Sequence, residues 1–139
     1  MKSTLTSWIA SYAATAAVMI IIDLIWLGVV AKPWYFVGMG HLMAVKPNLI
    51  AAALFYAMFP VGLMMFAVIP QAATEGFARV AFWGAAFGFF TYATYDLTNL
   101  ATLKDYPLSL AALDITWGTC VSAVAAVAGK AMHDRWLAG

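Results

Sequence analysis

Four stretches of roughly 20 residues, at about 8–30, 48–69, 77–99 and 108–130, run almost without charge. A bilayer core of about 30 Å needs roughly 20 helical residues at about 1.5 Å each. Stretch length therefore selects membrane spans before any motif is considered. The segment 51–69 carries no polar face, which a helix on the outside of a soluble protein needs. Charged residues are 9% of the chain and hydrophobic ones 65%, against roughly 25% charged in ordinary soluble domains. The expectation is an all-α polytopic membrane protein, a single domain over residues 1–139 with four transmembrane helices in the lipid bilayer. The first stretch is longer than the core of a signal peptide and contains Asp23, so it reads as a retained span.

The breaks between spans are chemically distinct. Lys32-Pro33-Trp34-Tyr35 ends the first span, Pro70 and the segment 71–75 follow the second, and Lys104-Asp105-Tyr106-Pro107 separates the last two. The longest connection, 32–47, holds Trp34, Tyr35 and Phe36 and reads as a short amphipathic piece at the interface, anchoring the chain or covering a site. Lys2, Arg79, Lys130 and Arg135 fall on the side of the termini, against Lys32, Lys46 and Lys104 on the other, which places both termini in the cytoplasm. Gly84 and Gly88 form a GxxxG pattern that serves either packing within the bundle or a homodimer seam. Pro60 should kink the second span.

Of six acidic residues, three fall inside spans: Asp23, Asp96 and Asp114. A carboxylate in the membrane costs a few kcal/mol, so it faces the bundle interior and has a partner or a water-filled cavity. Asp23 lies seven residues before Val30 and Asp114 seven after Pro107, which puts both about 10 Å below the surface opposite the termini. Asp96 belongs to the same leaflet but lies shallower. Trp26, Asn99 and Trp117 follow Asp23, Asp96 and Asp114 at i+3, on the same helix faces. Tyr92, Tyr95 and, at the start of the second span, Asn48 complete the set of ligand-binding candidates. Indole, phenol and amide donors around carboxylates suit proton transfer, cation binding or recognition of a polar headgroup. The bland reading is that each aspartate ties helices together.

Other chemistries find little support. Seven basic residues spread over several loops form no nucleic-acid surface. Cys120 is the only cysteine, so neither an intrachain disulfide nor a thiolate metal site can form, and it reads as a small packing residue. His41 and His133 fall on opposite membrane sides, so no shared metal is expected, and a single histidine on the aspartate side argues against haem. No cofactor is expected.

Asp23-Leu24-x-x-Leu27 recurs as Asp96-Leu97-x-x-Leu100, and Pro47 and Pro107 open the spans that follow. That pattern describes two parallel helical hairpins about an axis normal to the membrane. A competing match joins Asp23-Leu24-Ile25-Trp26 to Asp114-Ile115-Thr116-Trp117.

The stretch Thr94-Tyr95-Asp96-Leu97-Thr98-Asn99-Leu100-Ala101-Thr102-Leu103, with Asp114-Ile115-Thr116-Trp117-Gly118 and Asp23-Leu24-Ile25-Trp26-Leu27-Gly28, resembles the membrane proteins grouped as domain of unknown function 2177. The resemblance covers nearly the whole chain. It implies a bacterial inner-membrane protein and passes on no reaction. Three functions compete on the residues. The first is binding or transport of a small solute or cation, proton-coupled at the aspartates, with a homodimer needed for an adequate path. The second is a small accessory or structural subunit. The third is a membrane-embedded, acid-catalysed enzyme on an isoprenoid or acyl-lipid substrate. An enzyme is the least favoured.

Overall fold

A computed structural model describes residues 4–138, and these are all-helical with no strand. Lys2, counted in the orientation balance, lies outside the described residues.

The first helix, α1 (Thr4–Ile25), continues through a wide turn, Trp26–Val30, closed by the Ala31 N–H donating to the Trp26 carbonyl at 2.7 Å. Pro33 then opens α2 (Lys32–Met39), where its missing N–H costs nothing. Helix α3 (Leu49–Leu63) is capped by Asn48, whose side-chain oxygen accepts from the amides of Ile50 and Ala51, both at 3.1 Å. Pro60 lies inside α3, which runs on past it to Leu63, and a second wide turn, Met64–Val68, follows. Gly76, at φ +68°, supplies the left-handed residue that lets the chain reverse before α4 (Ala78–Thr102). The last helix is α5 (Leu108–Ala138).

Among the described residues, three segments are long and apolar enough to cross a membrane: Thr4–Val30, Leu49–Gln71 and Leu108–Ala138. At 25 residues α4 is long enough, but the hydroxyls, Asp96 and Asn99 of its second half lower its hydropathy.

Packing centres on α5. Helix α1 lies antiparallel to it and buries Ser7, Ser11, Thr15, Met19 and Asp23, one residue per turn along a single line. Near the termini Trp8 stacks on His133 at 4.0 Å, and Ser11 donates to the Gly129 carbonyl at 2.7 Å. Helix α4 meets the other side of α5 through Gly84 and Gly88. A Cβ on Gly84 would sit 2.7 Å from the Ala126 Cβ and 2.9 Å from the Ser122 carbonyl oxygen. The glycine pair thus lets α4 and α5 approach within one molecule.

One charge is buried at the terminal side, and one placement, that of Cys120, differs from expectation. Lys130, read as a charge at the terminal side, is buried and donates to Asp134 at 2.9 Å and to the Ala72 carbonyl at 3.2 Å, tying the α3–α4 connection to α5. Cys120 lies exposed on the outer face, because the inward positions of α5 are taken by Gly118, Val121 and Ser122.

Candidate functional site

The three aspartates expected to share one leaflet do converge, and each is met by a tyrosine from a different element. Asp23 on α1 is 2% exposed and accepts from the Tyr56 hydroxyl on α3 at 2.5 Å and from the Trp117 indole on α5 at 2.8 Å. Asp114 on α5 accepts from the Tyr35 hydroxyl on α2. Asp96 on α4 is fully buried and accepts from the Tyr106 hydroxyl at 2.8 Å.

Helix periodicity explains the convergence. Asp23 ends the buried line of α1, so it faces α5 as Ser11 does three turns earlier. Asp114 and Gly118, one turn apart on α5, face α4, where they meet Asp96 and Tyr92. A side chain at Gly118 would occupy the Tyr92 ring. Tyr106 is turned inward by Asp105, the one non-glycine described residue with positive φ, at 59°; aspartate tolerates that conformation better than most residues.

Two tryptophans close the cluster. Trp26 and Trp117 stack with centroids 4.2 Å apart and planes 4° from parallel. Trp117 binds Asp23, while the Trp26 indole reaches the Tyr35 hydroxyl at 3.5 Å, and that hydroxyl binds Asp114. The two Asp-x-x-Trp motifs therefore exchange partners across the α1–α5 interface.

The pairing of donors is uneven. Both oxygens of Asp23 accept a hydrogen bond. Asp96 instead lies within hydrogen-bonding reach of the Asp114 carboxyl, and its Oδ2 has no donor among the described residues. Two carboxyl groups in contact, away from water, cannot both carry full charge without a large cost. Burial, and then the bonds to Asp114 and Asp96 respectively, push the Tyr35 and Tyr106 phenols well above their ordinary range, so both remain neutral donors.

Most of the candidates read from sequence fall in this cluster: Asp23, Trp26, Tyr92, Asp96, Asp114 and Trp117. Asn99 neighbours the Tyr95 and Tyr106 hydroxyls at its edge, and Tyr95 is half exposed on the outer face of α4. Asn48 is elsewhere: it is exposed and its oxygen is spent on capping α3. It lies at the helix start, whereas an α3 residue level with Asp23 must be about eight positions further in, at about 1.5 Å each. Tyr56 occupies that position. It is also the only side chain from 49 to 69 with a hydroxyl or amide, which is the signal that could have found it. Tyr35 and Tyr106 carry no such signal, since tyrosines in breaks equally suit interfacial anchoring.

No group of three or more metal-ligating side chains able to hold an ion occurs among the described residues. Two grooves open on the outside. One is lined by α2 and the start of α5, the other by α3 and α4, and neither has an aspartate in its lining. No curated protein and no solved structure matches the chain. A family model described as "Predicted membrane protein (DUF2177)" matches residues 8–131. The chain belongs to that family of predicted membrane proteins, its several apolar helices fit a multi-pass membrane location, and the buried Asp-Tyr-Trp cluster lies within the matched region.

Proposed function

We propose that the Asp96–Asp114 pair is an intramembrane site that holds one proton and exchanges it for a small cation or basic solute, which the protein binds or carries. The observation that carries this reading is the contact between the two carboxyls with Asp96 Oδ2 left without a donor. A proton between the groups leaves the pair with one negative charge, and a monovalent cation can replace that proton with no change in net charge. Proton release on cation addition tests it. Purified protein in weakly buffered detergent, with a pH indicator, is titrated with sodium, potassium and guanidinium. Release that is lost in Asp96→Asn and kept in Asn48→Ala supports the proposal; no release with any of the three, or equal release from Asp96→Asn, overturns it.

Asp23 favours a second role beside the first. Its complete pairing with Tyr56 and Trp117 makes it a fastener between α1, α3 and α5, as an accessory or structural subunit would need. The acid-catalysed enzyme is less favoured, because Trp26 and Trp117 each spend one ring face on the other rather than on a substrate cation.

The membrane arrangement that accompanies this function has four crossings in one domain. Helix α4 crosses despite its hydroxyls because Thr91, Thr94, Thr98 and Thr102 donate to their own helix at Phe87, Phe90, Thr94 and Thr98 carbonyls. The exchange of partners between the Asp-x-x-Trp motifs favours the correspondence of the first and fourth spans over the hairpin repeat. We place the protein in a bacterial inner membrane with both termini cytoplasmic. A homodimer would have to use a surface other than Gly84 and Gly88, which α5 covers.

A further inference from the structure

We propose that the groove between α2 and α5 is a binding site for an anionic phospholipid, with one acyl chain in the groove and the headgroup phosphate between Lys32 and Lys104. The groove, of about 460 Å³, is lined by Pro33, Trp34, Val37 and Gly38 on one wall and by Pro107, Ser109, Leu110 and Leu113 on the other. Ser109 supplies the only side-chain polar atom there besides the Trp34 indole N–H.

Its depth fits a chain near its headgroup. Leu113 is six residues beyond Pro107, so the α5 wall reaches about 9 Å below the start of the span. Gly38 sets the spacing of the walls: a Cβ there would lie 2.9 Å from Leu110 Cδ2 and 3.2 Å from Pro107 Cγ. The α2 backbone is thus seated on the first turn of α5, and the open groove runs beside that contact. Trp34 is half exposed in the lining and neighbours Trp26, with ring centroids 6.3 Å apart.

Charge selects the occupant. Lys32 directly precedes Pro33 in one wall, Lys104 lies three residues before Pro107 in the other, and both are exposed. Lys46 lies in the connection that follows α2, and Asp105 is the only acidic residue in either connection at this end. An exposed lysine close in sequence to each wall of an apolar slot matches a phosphate esterified to a chain, where a zwitterionic lipid would bring its own cation against them.

The test is native mass spectrometry of delipidated protein given equal amounts of phosphatidylglycerol and phosphatidylcholine with identical chains. The expected result is preferential retention of phosphatidylglycerol. Each basic residue near a membrane surface contributes about 1 kcal/mol, which is about a 5-fold change in affinity. Lys32→Gln with Lys104→Gln should therefore reduce retained phosphatidylglycerol by about 25-fold relative to phosphatidylcholine. Val37→Trp should displace both lipids by filling the groove, and Val37 is 84% exposed, so the bundle keeps its packing. Equal retention of the two lipids by the native protein, or unchanged preference in the lysine variant, overturns the proposal. Displacement by excess glycerol phosphate also overturns it, since the chain would then contribute nothing.

Discussion

Replacing Trp117 with Phe should cost about 1.5–2 kcal/mol of stability. The substitution keeps an aromatic ring to stack on Trp26 and removes the N–H that Asp23 accepts at 2.8 Å. Asp23 is 2% exposed, so water cannot replace the lost donor. Hydrogen bonds to charged groups contribute about 1.5–3 kcal/mol in soluble proteins. Side-chain bonds between helices in a membrane average about 0.6 and reach about 1.7 kcal/mol, because the unfolded chain in lipid also finds partners. The sealed carboxyl and the loss of part of the stack place this position at the top of the membrane range. A double-mutant cycle with Asp23→Leu isolates the pair, and Leu is needed because an Asn carbonyl could still accept from the indole. Reversible unfolding in mixed micelles, followed by circular dichroism, gives the four free energies. Coupling below about 0.5 kcal/mol would refute the view that Asp23 fastens α1 to α5.

Gly88→Ala should destabilise the α4–α5 pair by about 1–3 kcal/mol, measured by the same unfolding, because the added carbon meets the Gly118 carbonyl and the Ser122 side chain, where backbone cannot yield. Asn48→Ala should cost about 1 kcal/mol through the lost cap and leave cation-dependent proton release unchanged. The raised Tyr35 and Tyr106 phenols give an alkaline signature. Above the unfolded value of about 10 the unfolded chain releases protons that the folded one keeps, so stability should fall as pH rises, and Tyr35→Phe with Tyr106→Phe should flatten that slope.

Sequence reasoning reached the level of the site because membrane depth is almost a linear coordinate: seven residues from a break place Asp23 and Asp114 together, whatever the rest of the fold does. It reached the facing of Trp26 and Trp117 because i,i+3 pairs share a helix face. It did not reach Asp96 against Asp114, since only the close approach through Gly84 and Gly88 brings α4 near enough, and a GxxxG pattern does not name its partner. Asn48 is polar but lies at the start of α3, and a polar residue at a helix start serves its own backbone amides first. Tyr106 depends on a single left-handed residue, Asp105, which no periodicity reports.

On the function proposed, Asp96 and Asp114 hold one exchangeable proton. Infrared difference spectroscopy of the purified protein, across a pH titration and with Asp96→Asn and Asp114→Asn alongside, measures it directly through the C=O stretch of protonated carboxyl. The expected result is a protonated-carboxyl band at neutral pH that vanishes in Asp96→Asn, shifts or vanishes in Asp114→Asn, and is lost from the native protein when a bound cation displaces the proton. A spectrum with no protonated carboxyl at neutral pH, or a band unchanged by both substitutions, would contradict it.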